Sequence, residues 1–138
     1  MNYKISICHP DKKEIEIIPN SLDSKEALEF FNDYPWKEQL ELLDKMNQEK
    51  VQYSPSVRFT NTRNNISLEM TAESHGGKIS FSLWFERPVR TKILFGLLGE
   101  KDKMKLTDKW GFDHISSKQH LTAFLRENYD EVERIMKK

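Results

Sequence analysis

The chain of 138 residues is the length of one domain and can bury a real hydrophobic core without disulfide or metal staples. Its 22 basic and 22 acidic residues cancel, which argues against a dedicated nucleic-acid binder and removes any general attraction to an anionic membrane. Cys8 is the single cysteine, so no intrachain disulfide forms. No apolar run makes a signal-peptide core or approaches the roughly 20 residues of a membrane span, and a cytoplasmic location is expected.

Charge is nevertheless uneven along the chain. Residues 1–50 hold 7 basic and 11 acidic side chains, a net of −4, whereas Arg87 to Lys109 holds 7 basic against 3 acidic, a net of +4. Two surface patches of opposite sign are expected from this distribution.

Taken in order, "YKISICH" and "EIEIIP" are β-rich runs joined by "PDKK", whose Pro10 and Asp11 suit a tight turn. They read as an opening hairpin. Asp23 followed by Glu26 predicts a capping box at the start of a helix whose apolar stripe is Ala27, Leu28 and Phe31. Pro35 ends that helix and suits the first turn of the next, where its missing N–H costs little. Trp36, Leu40, Leu43 and Met46 carry helical spacing on toward Lys50.

After "SPS" the period changes from helix to strand. Val57–Thr62, Ile66–Glu73 and Lys78–Glu86 alternate apolar and polar residues and are separated by "RNN" and "SHGG", the pattern of an antiparallel meander. Ile66, Leu68, Met70 and Ala72 share one face with Ile79, Phe81, Leu83 and Phe85 of the next run. Lys103–Trp110 offers an extra edge strand, and Ile93, Leu94, Phe95, Leu97 and Leu98 are too apolar for an ordinary surface loop, so they either wrap the core, the favoured reading, or form a docking surface. Ser116, with Gln119 at the reciprocal position, predicts the cap of one closing helix with an apolar stripe of Leu121, Phe124, Leu125, Val132, Ile135 and Met136. The fold class is therefore α+β: a single domain over residues 1–138, with an antiparallel sheet made of the hairpin and the meander and helices packed on one face.

Chemistry of high specificity is missing. There is no nucleophile elbow or phosphate loop, and the "SHGG" glycines fit a hairpin turn without a ligand. Cys8 and His9 are neighbours on a strand, so their side chains point to opposite faces, and a small structural thiol is the expected role of Cys8. His9, His75, His114 and His120 are dispersed at spacings that suit no metal pair, and Asp113 beside His114 is expected to serve the backbone at a helix start. Neither a cofactor nor a metal is expected, and an enzyme using His9 or His114 ranks last among the readings.

One residue breaks the pattern. The alternation of "KISFSLWFERP" puts Trp84 on the polar face of its strand, beside Ser82 and Glu86 and on the same side of the sheet as Arg58 and Glu69. Either the Val89–Gly99 connection or the closing helix covers the indole, or it is an anchor for a partner, with the charged residues as its rim. The second account makes Trp84, Ser82, Glu86, Arg58 and Glu69 the partner-binding residues.

"DYPWKEQLELLDKM", "SPSVRFTNTRNNISLEM", "FERPVRTKILFGLLG" and "ENYDEVERIMKK" together resemble the small immunity proteins of bacterial polymorphic-toxin and interbacterial secretion systems. Families of that kind combine a P-W helix start, an S-P-S/T strand start, an R-P strand end and a closing helix with a Y-D/E-x-hydrophobic pattern. The resemblance covers roughly residues 33–138 and implies a non-enzymatic protein that binds and neutralises a cognate toxin protein. It supplies no catalytic residues. The alternative function is a small-ligand or lipid-binding domain, with an apolar pocket lined by Phe59, Met70, Phe81 and Phe85 between sheet and helices.

Overall fold

The computed structural model describes residues 2–92 and 100–137, with side chains described for 2–88 and 104–137. Six strands form one antiparallel sheet: β1 (Tyr3–Cys8), β2 (Glu16–Ile17), β3 (Ser56–Asn61), β4 (Ser67–His75), β5 (Lys78–Lys92) and β6 (Glu100–Phe112), in the spatial order β2-β1-β3-β4-β5-β6. Between β2 and β3 lie helices α1 (Ser24–Asp33) and α2 (Trp36–Lys45) and a 3₁₀ turn at Gln48–Lys50. Two helices, α3 (His114–Leu125) and α4 (Tyr129–Met136), close the described chain. The α+β architecture, the opening hairpin and the meander are those expected from the alternation of apolar residues.

β1, β3, β4 and the first part of β5 put their apolar residues on one face, as their sequences dictate. Tyr3, Ile5 and Ile7 of β1, Val57 and Phe59 of β3, Leu68, Met70 and Ala72 of β4, and Phe81, Leu83 and Phe85 of β5 are buried together. The helices cover this face. Phe31 of α1 and Trp36 of α2 lie 5.6 and 5.1 Å from the Phe81 ring, and Phe124 of α3 packs against Tyr3 and Phe85. No helix among the described residues is long and apolar enough to cross a membrane.

Local chemistry sets the connections. Asp23 and Glu26 form the capping box at α1, the Asp23 carboxylate accepting from the Glu26 N–H at 2.8 Å and Glu26 accepting from the Asp23 N–H at 3.1 Å. Gly76 and Gly77, with φ of +58° and +82°, make the two-residue turn between His75 and Lys78, a conformation that matches the twist of the flanking strands. Gly111, at φ +91°, accommodates an extra residue in β6 where the register shifts between Phe81 and Leu83.

Several boundaries differ from the sequence expectation, each for a local reason. Helix α2 stops at Lys45 rather than running toward Lys50, because Met46 is extended and the Asn47 side chain captures the Glu49 N–H to start the 3₁₀ turn. Ser116 is not the cap of α3. Asp113 is, its carboxylate accepting from the Ser116 N–H at 2.7 Å, which is the backbone role expected of that aspartate. The single closing helix is two helices. Glu127 adopts φ +58° and ends α3, and its carboxylate is held there by Asn61 Nδ2 at 3.1 Å and by an ion pair with Arg63.

The expected edge strand over Lys103–Trp110 exists and is longer than expected. β5 runs on to Lys92 and pairs with β6 along its whole remaining length, as far as Lys92 with Glu100. The expectation that Ile93–Leu98 join the core lies outside the described residues.

Candidate functional site

Pairing register places the outward-facing residues of the sheet in rungs. One rung runs Ser6, Arg58, Glu69, Trp84 and Asp108 across β1, β3, β4, β5 and β6. Its neighbour on one side runs Lys4, Thr60, Ser67, Glu86 and Leu106, and on the other side Cys8, Ser56, Thr71 and Ser82. All five residues expected at the partner site are thus brought together, Arg58, Glu69 and Trp84 in direct sequence on one rung with Glu86 and Ser82 next to it.

Their exposures differ. Trp84 is half-buried, and Ser82 is buried at 7% exposure, donating from its hydroxyl to Glu73 Oε1 at 3.2 Å, so Ser82 supports the face rather than presenting itself. Arg58 reaches along the face to Glu86 at 3.2 Å. Burial raises the Glu69 carboxyl above its usual value. Arg58 works against this rise, and Glu86 adds to it. The indole N–H of Trp84 and the Nε of Arg58 are out of water with no hydrogen-bond partner among the described residues. A shallow groove of about 330 Å³ runs along this face, lined by Lys4, Ser6, Arg58, Thr60, Ser67, Glu86 and Met104 among others.

The covering expected from the closing helix does not occur, because α3 and α4 pack on the opposite face of the sheet. Val89–Lys92 continue β5 as a paired strand, and the rest of the connection expected over the indole, residues 93–99, lies outside the described residues.

What the sequence reasoning missed is the contribution of β6. Met104 and Leu106, opposite Pro88 and Glu86, are 40% and 52% exposed, and Trp110, two residues past Asp108, is 72% exposed. Three large apolar side chains along one edge strand form an apolar line next to Trp84, on the face of the sheet away from the described helices. The signal was present in "KMKLTDKW", where Met104, Leu106, Asp108 and Trp110 fall at every second position.

The remaining reactive groups have structural surroundings. Cys8 is a free, half-buried thiol, pushed above its ordinary value first by burial and then by Glu69, the reverse of what an attacking thiolate needs. His9 pairs with Glu16 at 2.7 Å, His75 with Glu73 at 3.2 Å, and His114 stacks on Phe31 at 4.8 Å. His120 is buried, donates from its Nδ1 to the Ser116 carbonyl at 2.7 Å, and packs on Phe112 at 4.5 Å. Among the described residues no group of three His, Cys, Asp or Glu is arranged to hold a metal. Phe59, Met70, Phe81 and Phe85 are fully buried members of the core.

The chain matches no family model, no curated protein and no solved structure.

Proposed function

We propose that this is a non-enzymatic binding protein of the immunity type, which holds a cognate toxin protein against the open face of its sheet and so neutralises it. The observation that supports this reading is the apolar line of Met104, Leu106 and Trp110 beside the half-buried Trp84, flanked by Glu69, Asp108 and the Arg58–Glu86 pair. Large aromatic and aliphatic anchors inside a charged rim are the composition from which protein interfaces draw most of their binding energy. Trp84 lies between two carboxylates on its rung, which suits a partner that brings a basic side chain to the indole face. The sequence resemblance supplies the class of partner, and the sheet supplies the surface.

The test is expression of the gene adjacent to this one in a host lacking this chain. Growth should stop, and co-expression of this chain should restore it. Leu106→Asp and Trp84→Ala should each lose the rescue while the purified variants keep a cooperative thermal transition. A harmless neighbouring gene product, or rescue that survives both substitutions, overturns the proposal.

A further inference from the structure

β6 ends the sheet, with β5 on one side and no strand among the described residues on the other. The glycine turn fixes which of its backbone groups face outward. His75 and Lys78 flank a two-residue turn and so exchange both of their hydrogen bonds, and alternation along the ladder gives Glu73 with Ser80, Thr71 with Ser82, Glu69 with Trp84 and Ser67 with Glu86 the same character. Even-numbered residues of β5 are thereby bonded to β4. Odd-numbered ones bond to β6, Leu83 with Lys109, Phe85 with Thr107 and Arg87 with Lys105. Two observations agree with this assignment. Ala72, an even residue of β4, donates its N–H to Pro55 at 2.8 Å on the β3 side, and Pro88 stands at an even position of β5 beyond the last pair with β4, where no ladder bond needs its missing N–H.

Met104, Leu106 and Asp108 therefore point both N–H and C=O away from the sheet. Among the described residues no backbone group from outside the sheet bonds to them, and all three residues are exposed. Such a row of unpaired groups is a template for one more strand.

The side chains decide which strand fits. β6 carries Lys101, Lys103, Lys105 and Lys109 at odd positions. A two-fold axis normal to the sheet would lay a second copy antiparallel along this edge with odd positions opposite odd ones, and every register centred on residues 103 to 107 then sets lysine against lysine. The edge rejects its own copy. Across the ladder Lys105 meets another cation, Arg87, whose charge is already taken by Asp130 at 3.0 Å and Glu133 at 3.7 Å. At the even positions, exposed Met104 and Leu106 present apolar surface on the other side of the sheet. A strand that fits alternates carboxylates, opposite the lysines, with apolar residues, opposite Met104 and Leu106.

We propose that the outer edge of β6 is a strand-addition site, along which the partner protein lays an extended segment that alternates acidic and apolar residues. Main-chain hydrogen bonds to Met104, Leu106 and Asp108 hold the segment, and the alternation selects it. This rests on the reading of the sheet as a protein-binding surface and names the form of the docking segment.

Calorimetric titration of the full chain with three end-blocked peptides tests it, each alternating valine with glutamate, threonine or lysine. The glutamate peptide should bind about tenfold more tightly than the threonine peptide, the lysine peptide more weakly still, and the differences should shrink with added salt. Hydrogen exchange followed by NMR reads the backbone directly. The amides of Met104, Leu106 and Asp108 should exchange fast in the free chain and become protected when the glutamate peptide is bound. N-methylation of that peptide's valines, whose N–H groups face β6, should abolish binding, and Asp108→Pro should lose the peptide where Asp108→Ala keeps it. Equal affinity for the three peptides, binding without protection of those amides, undiminished binding of the N-methylated peptide, or no binding at millimolar concentration overturns the proposal. A harmless product of the adjacent gene would overturn the immunity reading and leave these results standing. Rescue that survives Asp108→Pro but not Trp84→Ala would overturn strand addition and keep that reading.

Discussion

Trp84→Ala, compared with Phe81→Ala three residues earlier on the same strand, is the perturbation that separates a displayed indole from a core one. Phe81 is 1% exposed and meets the rings of Phe31, Trp36 and His114, so its truncation leaves a closed cavity and should cost about 3–5 kcal/mol. Trp84 is half-buried on the opposite face, where none of the described helices packs, with Glu69 and Asp108 opposite it on the neighbouring strands. Roughly half of the full aromatic burial term is lost with it. The substitution also removes an indole N–H that is out of water without a partner, which offsets part of that loss. The expected net cost is about 1–2 kcal/mol. For a chain of this size each kcal/mol moves Tm by about 3 °C, giving a fall of about 3–6 °C for Trp84→Ala against about 9–15 °C for Phe81→Ala. Thermal melts followed by far-UV circular dichroism measure both. Equal falls for the two variants would refute the assignment of the faces and remove the sheet surface from consideration as a docking site.

Other consequences follow from single observations. Asp113→Ala should destabilise the protein by removing the α3 cap, and Ser116→Ala, whose backbone alone takes part, should cost far less; chemical denaturation that ranks them the other way contradicts the capping geometry. Burial holds the His120 imidazole below its usual value against the opposing carbonyls of Ser116 and Ile135. The unfolded chain therefore binds the proton more readily, and this stability is full above about pH 6.5 and lost as the pH falls. Urea midpoints at pH 7.5 and 5.5 should show that loss, reduced in His120→Leu, and an unchanged difference in the variant would disprove the origin. Gly111→Ala should cost about 1 kcal/mol or more because a side chain is strained at φ +91°, a prediction that fails if the variant melts with the parent. Cys8 should react with iodoacetamide at pH 7 more slowly than free cysteine, since its raised pKa and partial burial both reduce the available thiolate; a faster reaction would reopen a nucleophilic role.

Residues 57–86 carried their own structural code. Period-2 alternation decides which side chains face the core as soon as a strand forms, because a one-residue slip would turn every apolar side chain to water. That is why Arg58, Glu69, Ser82, Trp84 and Glu86 could be assigned to a common face from the order of residues alone. The Asp23–Glu26 box and the "SHGG" turn were legible for a similar reason, since their partners lie within four residues. The break between α3 and α4 was not legible, because it rests on Glu127 held at positive φ by Asn61 and Arg63, more than sixty residues away, where a glycine would have announced it.

Tertiary structure alone decided which surfaces stayed open. Alternation places Trp84 opposite the core, yet whether a closing helix then covers it depends on where the chain goes next, and α3 and α4 return to the already apolar face. Local pattern depends on neighbours along the chain, whereas exposure depends on everything that packs from elsewhere.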